Sequence, residues 1–484
     1  MEKLKLKTKL SYGLAGVGDS ALYNIMGTFA LFFLTTVAGI DPALAGTITA
    51  IGSVWETVCG AVIGYVSDNT HTRFGKRKPY LMVSALPLAC LTGLFFLNID
   101  AGEGTMVIYY GLMLVLFWSF FSIFFVPYLA WGAELTCDYD ERTVLRGYVY
   151  FFNSFGTAIG LVLPNILVDL LTKHGYSVEF GWQTTGILCG ALAGGSILIG
   201  ALGIKDRYEL QYAGKADEEP RQGKGQGRAS LMTGLNAALD MVRNYVEILK
   251  LRTVRYILGA SVFYLIGYSI FCSDRMYFFT YNMGLSRTTI TVVMMVLTFA
   301  SVAFVPLVSF VNRWADKRTS YLVGMVICAA GMALYGFIGV TSIVHVCIFA
   351  ILYCIGNIAY WQLVPAMIYD VCEVDRLIND KERAGLVISL QTLAESLSNA
   401  AGLQIMGLIL SLSGFDGSME AQTESALHWT NLSFSVIPAL FMAASAFCIF
   451  KYPVTKEMYN KILAGLEQRA QGREIDMDEF RRLK

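Results

Sequence analysis

The stretch "SVWETVCGAVIGYVSDNTHTRFGKRKPYLM", Ser53–Met82, joins two opposite chemistries end to end. Its first part is an apolar run interrupted by one carboxylate, Glu56. Its second part gathers Arg73, Lys76, Arg77 and Lys78 within six residues. An apolar run longer than ~18 residues reads as a membrane-spanning helix, and basic residues directly after it mark the cytoplasmic side. A carboxylate placed near the centre of a bilayer costs at least ~2.5 kcal/mol on insertion scales, so Glu56 is a functional candidate by default.

The same alternation extends through the chain. Of 484 residues, 55% are hydrophobic and only 15% charged, with a mean hydropathy of +0.54. Twelve spans are expected, at roughly 10–38, 43–67, 79–98, 105–134, 147–171, 182–204, 255–283, 286–311, 319–340, 344–369, 385–412 and 429–452. Of 37 lysines and arginines, only Lys173, Arg275 and Arg287 fall off the side marked by the 73–78 cluster. Both termini are therefore expected in the cytoplasm, which requires an even number of spans. The N-terminus, "MEKLKLKTKLSYG", lacks the short apolar core and cleavage site of a signal peptide. The ten cysteines mostly lie inside apolar runs and the four histidines are scattered singly, so neither a metal site nor a disulfide framework is expected. No set of nucleophile and base suggests an enzyme. The partners expected are the bilayer and a small molecule rather than nucleic acid, with the monomer as the working unit.

A polar middle loop separates two halves. The division expected is an N-terminal six-helix bundle over 1–204, a middle loop over 205–254, a C-terminal six-helix bundle over 255–452 and a tail over 453–484. In the loop, "LMTGLNAALDMVRNYVEILK" has apolar residues at helical spacing and suits a helix along the membrane surface; the tail has a similar amphipathic pattern. The halves echo each other: "DERTVLRGYVYFFNSFGTAIGL" has a counterpart in "KERAGLVISLQTLAESLSNAAGL", and "YVSDNTHTRFGKRK" a worn one in "FVNRWADKRTS". Repeated parallel halves are the construction of alternating-access transporters. Gly156 with Gly160, and Gly190 with Gly194, are spaced for close helix packing.

These motifs support a family resemblance. "GYVSDNTHTRFGKRKPYLM" (64–82) resembles the signature loop between the second and third helices of the major facilitator superfamily. Within it, the chain resembles the glycoside–pentoside–hexuronide cation symporters, of which melibiose permease is the familiar member. The matching stretches are "KLSYGLAGVGD" (9–19), "RFGKRKP" (73–79), "VPYLAWGAELTCDYDERTVL" (126–145), "YWQLVPAMIYDVCEVD" (360–375) and "GLVISLQTLAESLS" (385–398). The resemblance implies an all-α membrane protein of the major facilitator fold, with twelve transmembrane helices in two pseudo-symmetric halves. It also implies a plasma-membrane symporter that moves a sugar, glycoside or hexuronide with H⁺, Na⁺ or Li⁺ and needs no cofactor.

The resemblance also assigns residues. Glu56 falls where the family carries the acid of the cation site, with Cys59 and Ser122 nearby and Asp19 as a second intramembrane acid. The family's usual second acid on helix 2 is Gly60 here. A hard Na⁺ ion wants several oxygens, whereas a lone carboxylate need only gain and lose a proton, which favours H⁺ coupling. Substrate contacts are expected from Asp19, Ser20, Tyr23, Asn24, Trp361, Gln391 and Thr392. Phe125 and Tyr150 replace a family acid and arginine, which makes the pocket less charged, and Arg275 could meet an anionic substrate. Asp68, Arg73, Lys76, Arg77, Glu141, Arg142, Asp370, Glu373 and Arg383 are expected to form cytoplasmic gating networks. Two rival readings are a symporter of lysolipids or other amphiphiles, and a membrane sensor that binds a solute without moving it.

Overall fold

A computed structural model describes residues 4–68, 70, 72, 74–135, 139–204, 243–296, 315–381, 383–419, 421–471 and 480–483; the side chains of 65, 68, 133, 139–143, 146, 384, 385 and 470 lie outside that description. Among the described residues there is no strand. The helices are α1 Leu6–Thr36, α2 Pro42–Asp68, α3 Lys78–Phe95, α4 Glu103–Glu134, α5 Tyr139–Leu161, α6 Leu163–Lys173, α7 Val178–Gly203 and α8 over 243–249. They continue with α9 Arg252–Tyr277, α10 Arg287–Val296, α11 Lys317–Ile338, α12 Ile343–Asn379, α13 Ala384–Ser413, α14 Glu424–Phe434, α15 Val436–Lys451 and α16 Lys456–Ala470. Among the described residues, 11 spans are long and apolar enough to cross a membrane. The remaining expected span, 286–311, begins with the apolar α10 and then runs into residues outside the description.

Two expected spans are each built from two helices. α5 and α6 meet at Val162, where Pro164 enters the first turn of α6. A proline has no N–H to give, and the first turn of a helix is the place that tolerates it. α14 and α15 meet at Ser435, whose hydroxyl donates to the Asn431 carbonyl at 2.6 Å. α9 ends in a π-helical turn, Phe278–Asn282.

The chain forms two compact units. The first comprises Met1–Gln222, Cys272–Met295 and Leu403–Thr430. Its helices approach closely because small residues line their contacts. A Cβ on Gly160 of α5 would sit 2.6 Å from the Ala21 carbonyl oxygen of α1, and one on Gly190 of α7 would sit 2.5 Å from that of Ala89 on α3. Tyr12 and Tyr128 close α1 onto α4 by donating to each other's carbonyls at 2.9 and 3.1 Å, with rings stacked at 4.6 Å. The two later segments join this unit through specific contacts. The Tyr277 and Thr35 hydroxyls lie 2.6 Å apart, Gly407 packs on Gly46, and Asn282 binds Leu427 and Thr430.

The second unit comprises Gly223–Phe271, Val296–Gly402 and Asn431–Lys484. Here Tyr321 of α11 shares a 2.7 Å hydrogen bond with Ser445 of α15, which itself donates to the Ala260 carbonyl of α9 at 2.8 Å. Side-chain caps set the starts of α11, α12 and α16: Asp316 accepts from Thr319 N, Ser342 from His345 N and Thr455 from Met458 N. The expected tail helix is α16; its Ile462 is buried and its Gly465 lies against Leu377 of α12. Of the expected middle-loop helix, 231–242 lie outside the described residues, and 243–249 form α8.

The packing makes a specific demand. Gly160→Ala should force α5 from α1 and cost about 1–3 kcal/mol. Thermal unfolding in detergent should show a clear fall for Gly160→Ala and none for Gly195→Ala, whose Cβ would meet no atom within 4 Å.

Candidate functional site

In the first unit, Glu56 sits on a helix fastened to its neighbour on both sides of it. Trp55 Nε1 donates to Ser119 Oγ at 2.7 Å, Cys59 Sγ reaches the Ser119 carbonyl at 3.8 Å, and Ser122 Oγ donates to the backbone carbonyl of Glu56 at 3.2 Å. Gly60 allows the approach to continue, since a Cβ there would sit 3.6 Å from Val126. Cys59 and Ser122 thus hold α2 against α4 by way of main-chain oxygens. The Glu56 carboxylate lies partly buried and within electrostatic range of Asp19 on α1. Two like charges in a medium of low dielectric repel strongly, so the pair favours an arriving cation.

An aromatic wall adjoins these acids. Tyr23, one turn beyond Asp19 and 47% exposed, meets Trp118 edge-on at 6.1 Å and Phe121 at 6.2 Å. Phe125 stacks on Phe121 at 5.6 Å. Trp118, Phe121 and Phe125 follow each other at steps of three and four on α4, which places them on one face. Ser20 and Asn24 serve the helix packing beneath. Asn24 Nδ2 donates to the Ser20 carbonyl at 2.7 Å, and Ser20 Oγ donates at 3.3 Å to Asn153 when that amide is oriented to match its neighbours. Tyr150 stands exposed on α5, and Arg275 Nε donates to the Cys272 carbonyl at 3.3 Å.

The second unit presents its own polar set. Trp361 of α12 is 47% exposed and meets Tyr268 at 6.1 Å and Tyr360 at 5.3 Å. Gln391 is buried, and its Nε2 donates to Glu395 Oε1 at 3.0 Å and reaches the Tyr360 hydroxyl at 3.4 Å. Thr392 is exposed, with its hydroxyl donated to the Ile388 carbonyl.

Residues 11–456 match the family described as MFS/sugar transport protein. The chain belongs to this family. The resemblance to the glycoside–pentoside–hexuronide symporters is borne out by relatives that align nearly end to end. An isoprimeverose transporter of Lactiplantibacillus pentosus is 23% identical, over 95% of this chain and 91% of its own. A glucuronide carrier protein homolog of Escherichia coli is 23% identical, over 97% of each. An uncharacterized symporter of Synechocystis is 24% identical, over 98% of this chain and 99% of its own. Among solved structures, the E. coli xylose transporter XylE superposes with a TM-score of 0.63 at 13% identity, covering 94% of this chain and 98% of that one. The major facilitator fold and a multi-pass membrane transporter of sugar type follow.

In this sugar transporter, the charged residues expected to gate are bound as follows. Arg77, 5% exposed, donates from Nε and Nη2 to Glu134 Oε1 of α4 at 3.0 and 2.7 Å, and from Nη1 to Ser67 Oγ of α2 at 2.7 Å. Lys78 donates to the Ile204 carbonyl at 2.8 Å, and Lys76 lies in the turn before α3. In the second unit, Lys317 binds both Asp370 oxygens at 2.7 and 2.8 Å, with Glu373 three residues further along α12. Arg383 binds Asp375 at 2.7 and 3.1 Å, Glu247 of α8 at 2.6 Å and Asn244 at 3.2 Å. Arg73 and the side chains of Asp68, Glu141 and Arg142 lie outside the described residues. These described bonds draw helices together within a unit. Sequence reading missed Trp118, Phe121, Ser119 and Glu134. For the first two the signal was available, in the three-and-four spacing of aromatics on α4.

Glu247 accepts hydrogen bonds from Lys381 and Arg383, which hold its carboxyl down at about 2. A depressed carboxylate contributes its stabilisation above the ordinary carboxylate range and loses it as pH falls towards about 2. Hydrogen exchange at 243–249, corrected for intrinsic rate, should therefore be constant between about pH 5 and pH 8. Arg383→Ala should speed it by roughly threefold or more while leaving α1 to α7 unchanged.

Proposed function

We propose that this transporter carries a sugar or glycoside across the plasma membrane in symport with a cation, a proton foremost, by alternating access. The observation that carries the reading is the pairing of Glu56 with Asp19, two carboxylates in each other's field at membrane depth, beside an aromatic wall. Glu56 is the coupling group: it gains its proton where the pathway is open to the outside and loses it to the cytoplasm. A proton suits the surroundings better than Na⁺. Cys59 offers a sulfur rather than an oxygen and Gly60 no side-chain ligand, which leaves the Ser122 hydroxyl and the carboxylates, whereas Na⁺ asks for a shell of several oxygens. Tyr23 and the partly exposed Phe125 offer ring faces for the C–H side of a sugar, with the buried rings of Trp118 and Phe121 packed behind them. The resemblance to an isoprimeverose transporter and a glucuronide carrier homolog supports the substrate class. The termini lie in the cytoplasm, and the monomer is the working unit.

A second reading, an amphiphile symporter, draws on the same aromatic wall, since ring faces also receive acyl chains. Counterflow in proteoliposomes with labelled glycosides, hexuronides and lysolipids decides between them. Sugars should exchange and lysolipids should not. Glu56→Gln should abolish gradient-driven accumulation while keeping counterflow. Accumulation should vanish when the proton gradient is collapsed and persist when Na⁺ is removed. Full accumulation by Glu56→Gln would remove Glu56 from the coupling role.

A further inference from the structure

The second unit holds a carboxylate for which the coupling reaction has no use. Glu395 follows Gln391 by four residues on α13, so the two side chains share a helix face, joined at 3.0 Å from Gln391 Nε2 to Glu395 Oε1. The same nitrogen reaches the Tyr360 hydroxyl on α12 at 3.4 Å. Gln391 is only 5% exposed, and its Oε1 has no hydrogen-bond partner. Glu395 is partly buried. Around them stand rings from two further helices. Tyr360 stacks on Tyr264 of α9 at 3.9 Å, and the half-exposed Trp361 meets Tyr268 at 6.1 Å.

The amide's donors are taken by Glu395 and Tyr360, which leaves the Glu395 carboxylate and Gln391 Oε1 as acceptors, beside two donors, the Tyr360 hydroxyl and the Trp361 indole N–H. A ligand that meets the carboxylate has to bring donors to it. Sugar hydroxyls do so, and a pyranose also offers an apolar face to a ring such as Trp361. A hexuronate brings a further carboxylate, with the wrong hydrogen-bonding sense and a like charge. An acyl chain leaves the buried acceptors unpaired, which is costly in a dry site.

We propose that Glu395, with Gln391 and Trp361 beside it, is a specificity-determining residue that selects neutral, hydroxyl-rich glycosides and excludes hexuronides. This inference rests on the sugar-symport reading and narrows its substrate class. The uronide specificity of one relative's name does not carry over, because the charge of the second unit's polar cluster opposes it.

The experiment is counterflow by the full chain in proteoliposomes, using matched pairs of methyl glycosides and their 6-carboxylates in the gluco and galacto series, both anomers. Wild type should take the neutral member of a transported pair at least tenfold more efficiently than the acid. Glu395→Gln should weaken the neutral member by about tenfold and bring the pair within about threefold, since a hydrogen bond to a charged group is lost and the repulsion with it. Glu395→Asp, keeping the charge, should restore the preference. Preference of wild type for the acid, or a ratio that Glu395→Gln leaves unmoved, overturns the assignment while leaving sugar symport standing. If lysolipid exchanges and no sugar of either kind does, the symport reading falls and this assignment with it. Should Glu395→Gln fail to fold, as judged by its thermal unfolding, the wild-type ratio and Glu395→Asp still decide.

Discussion

A hydrocarbon slab offers no hydrogen bonds, and this chain is organised around that fact. Every main-chain N–H and C=O at membrane depth needs a partner inside the protein, so the apolar runs fold as helices. The polar side chains on those helices obey the same constraint. Thr92 and Thr185 donate back to carbonyls one turn earlier, at 2.7 Å each. Tyr12 and Tyr128 exchange bonds across α1 and α4, and Trp55 finds Ser119. Against this background Glu56, Asp19 and Glu395 stand out, because a carboxylate is the costliest group to keep there. Chemistry follows from where such groups are retained.

Close helix approach is the second consequence. Without a hydrophobic drive between helices in lipid, dispersion and small residues decide which surfaces meet. Gly160 seats α5 on the carbonyl side of α1, and Gly190 seats α7 on α3. That frame sets the position of Asp19 and Tyr23 on α1 relative to α4. The bonds of Ser119 and Ser122 then place Glu56 against the same helix. The two acids come into range because three helices are held at backbone distance.

Charge sits at the rim of the spans and serves a different end. Arg383 lies at the junction of α12 and α13 and ties Asp375 to Glu247 and Asn244 of the short α8. Arg77 does the comparable service for α2, α3 and α4 through Ser67 and Glu134. Guanidinium suits both places, since its fixed fork of donors spans several acceptors where an ammonium would serve fewer.

By itself the sequence determined the class, the spans and the family. Hydropathy and the lysine and arginine pattern depend on single residues and their order, which is why most span ends were legible to within a few residues, although α12 runs on to Asn379 past the expected end at 369, and the span expected at 286–311 leaves the described residues after α10. Glu56 was legible for the same reason: a carboxylate in an apolar run needs no neighbour to look anomalous. Gly60, in place of an expected acid, could also be read from the line of residues. Tertiary structure alone decided what those residues touch. That Ser122 meets the carbonyl of Glu56 rather than its carboxylate depends on the rotation of α4 about its axis. That Arg77 pairs with Glu134, and Gln391 with Glu395 and Tyr360, depends on side-chain rotamers and helix separation. The join of Cys272–Met295 and Leu403–Thr430 to the first unit depends on contacts such as Tyr277 with Thr35 and Gly407 with Gly46, far apart in the chain. Periodicity shows which side of a helix is apolar, whereas the partner that side meets is set by packing, which no single segment encodes.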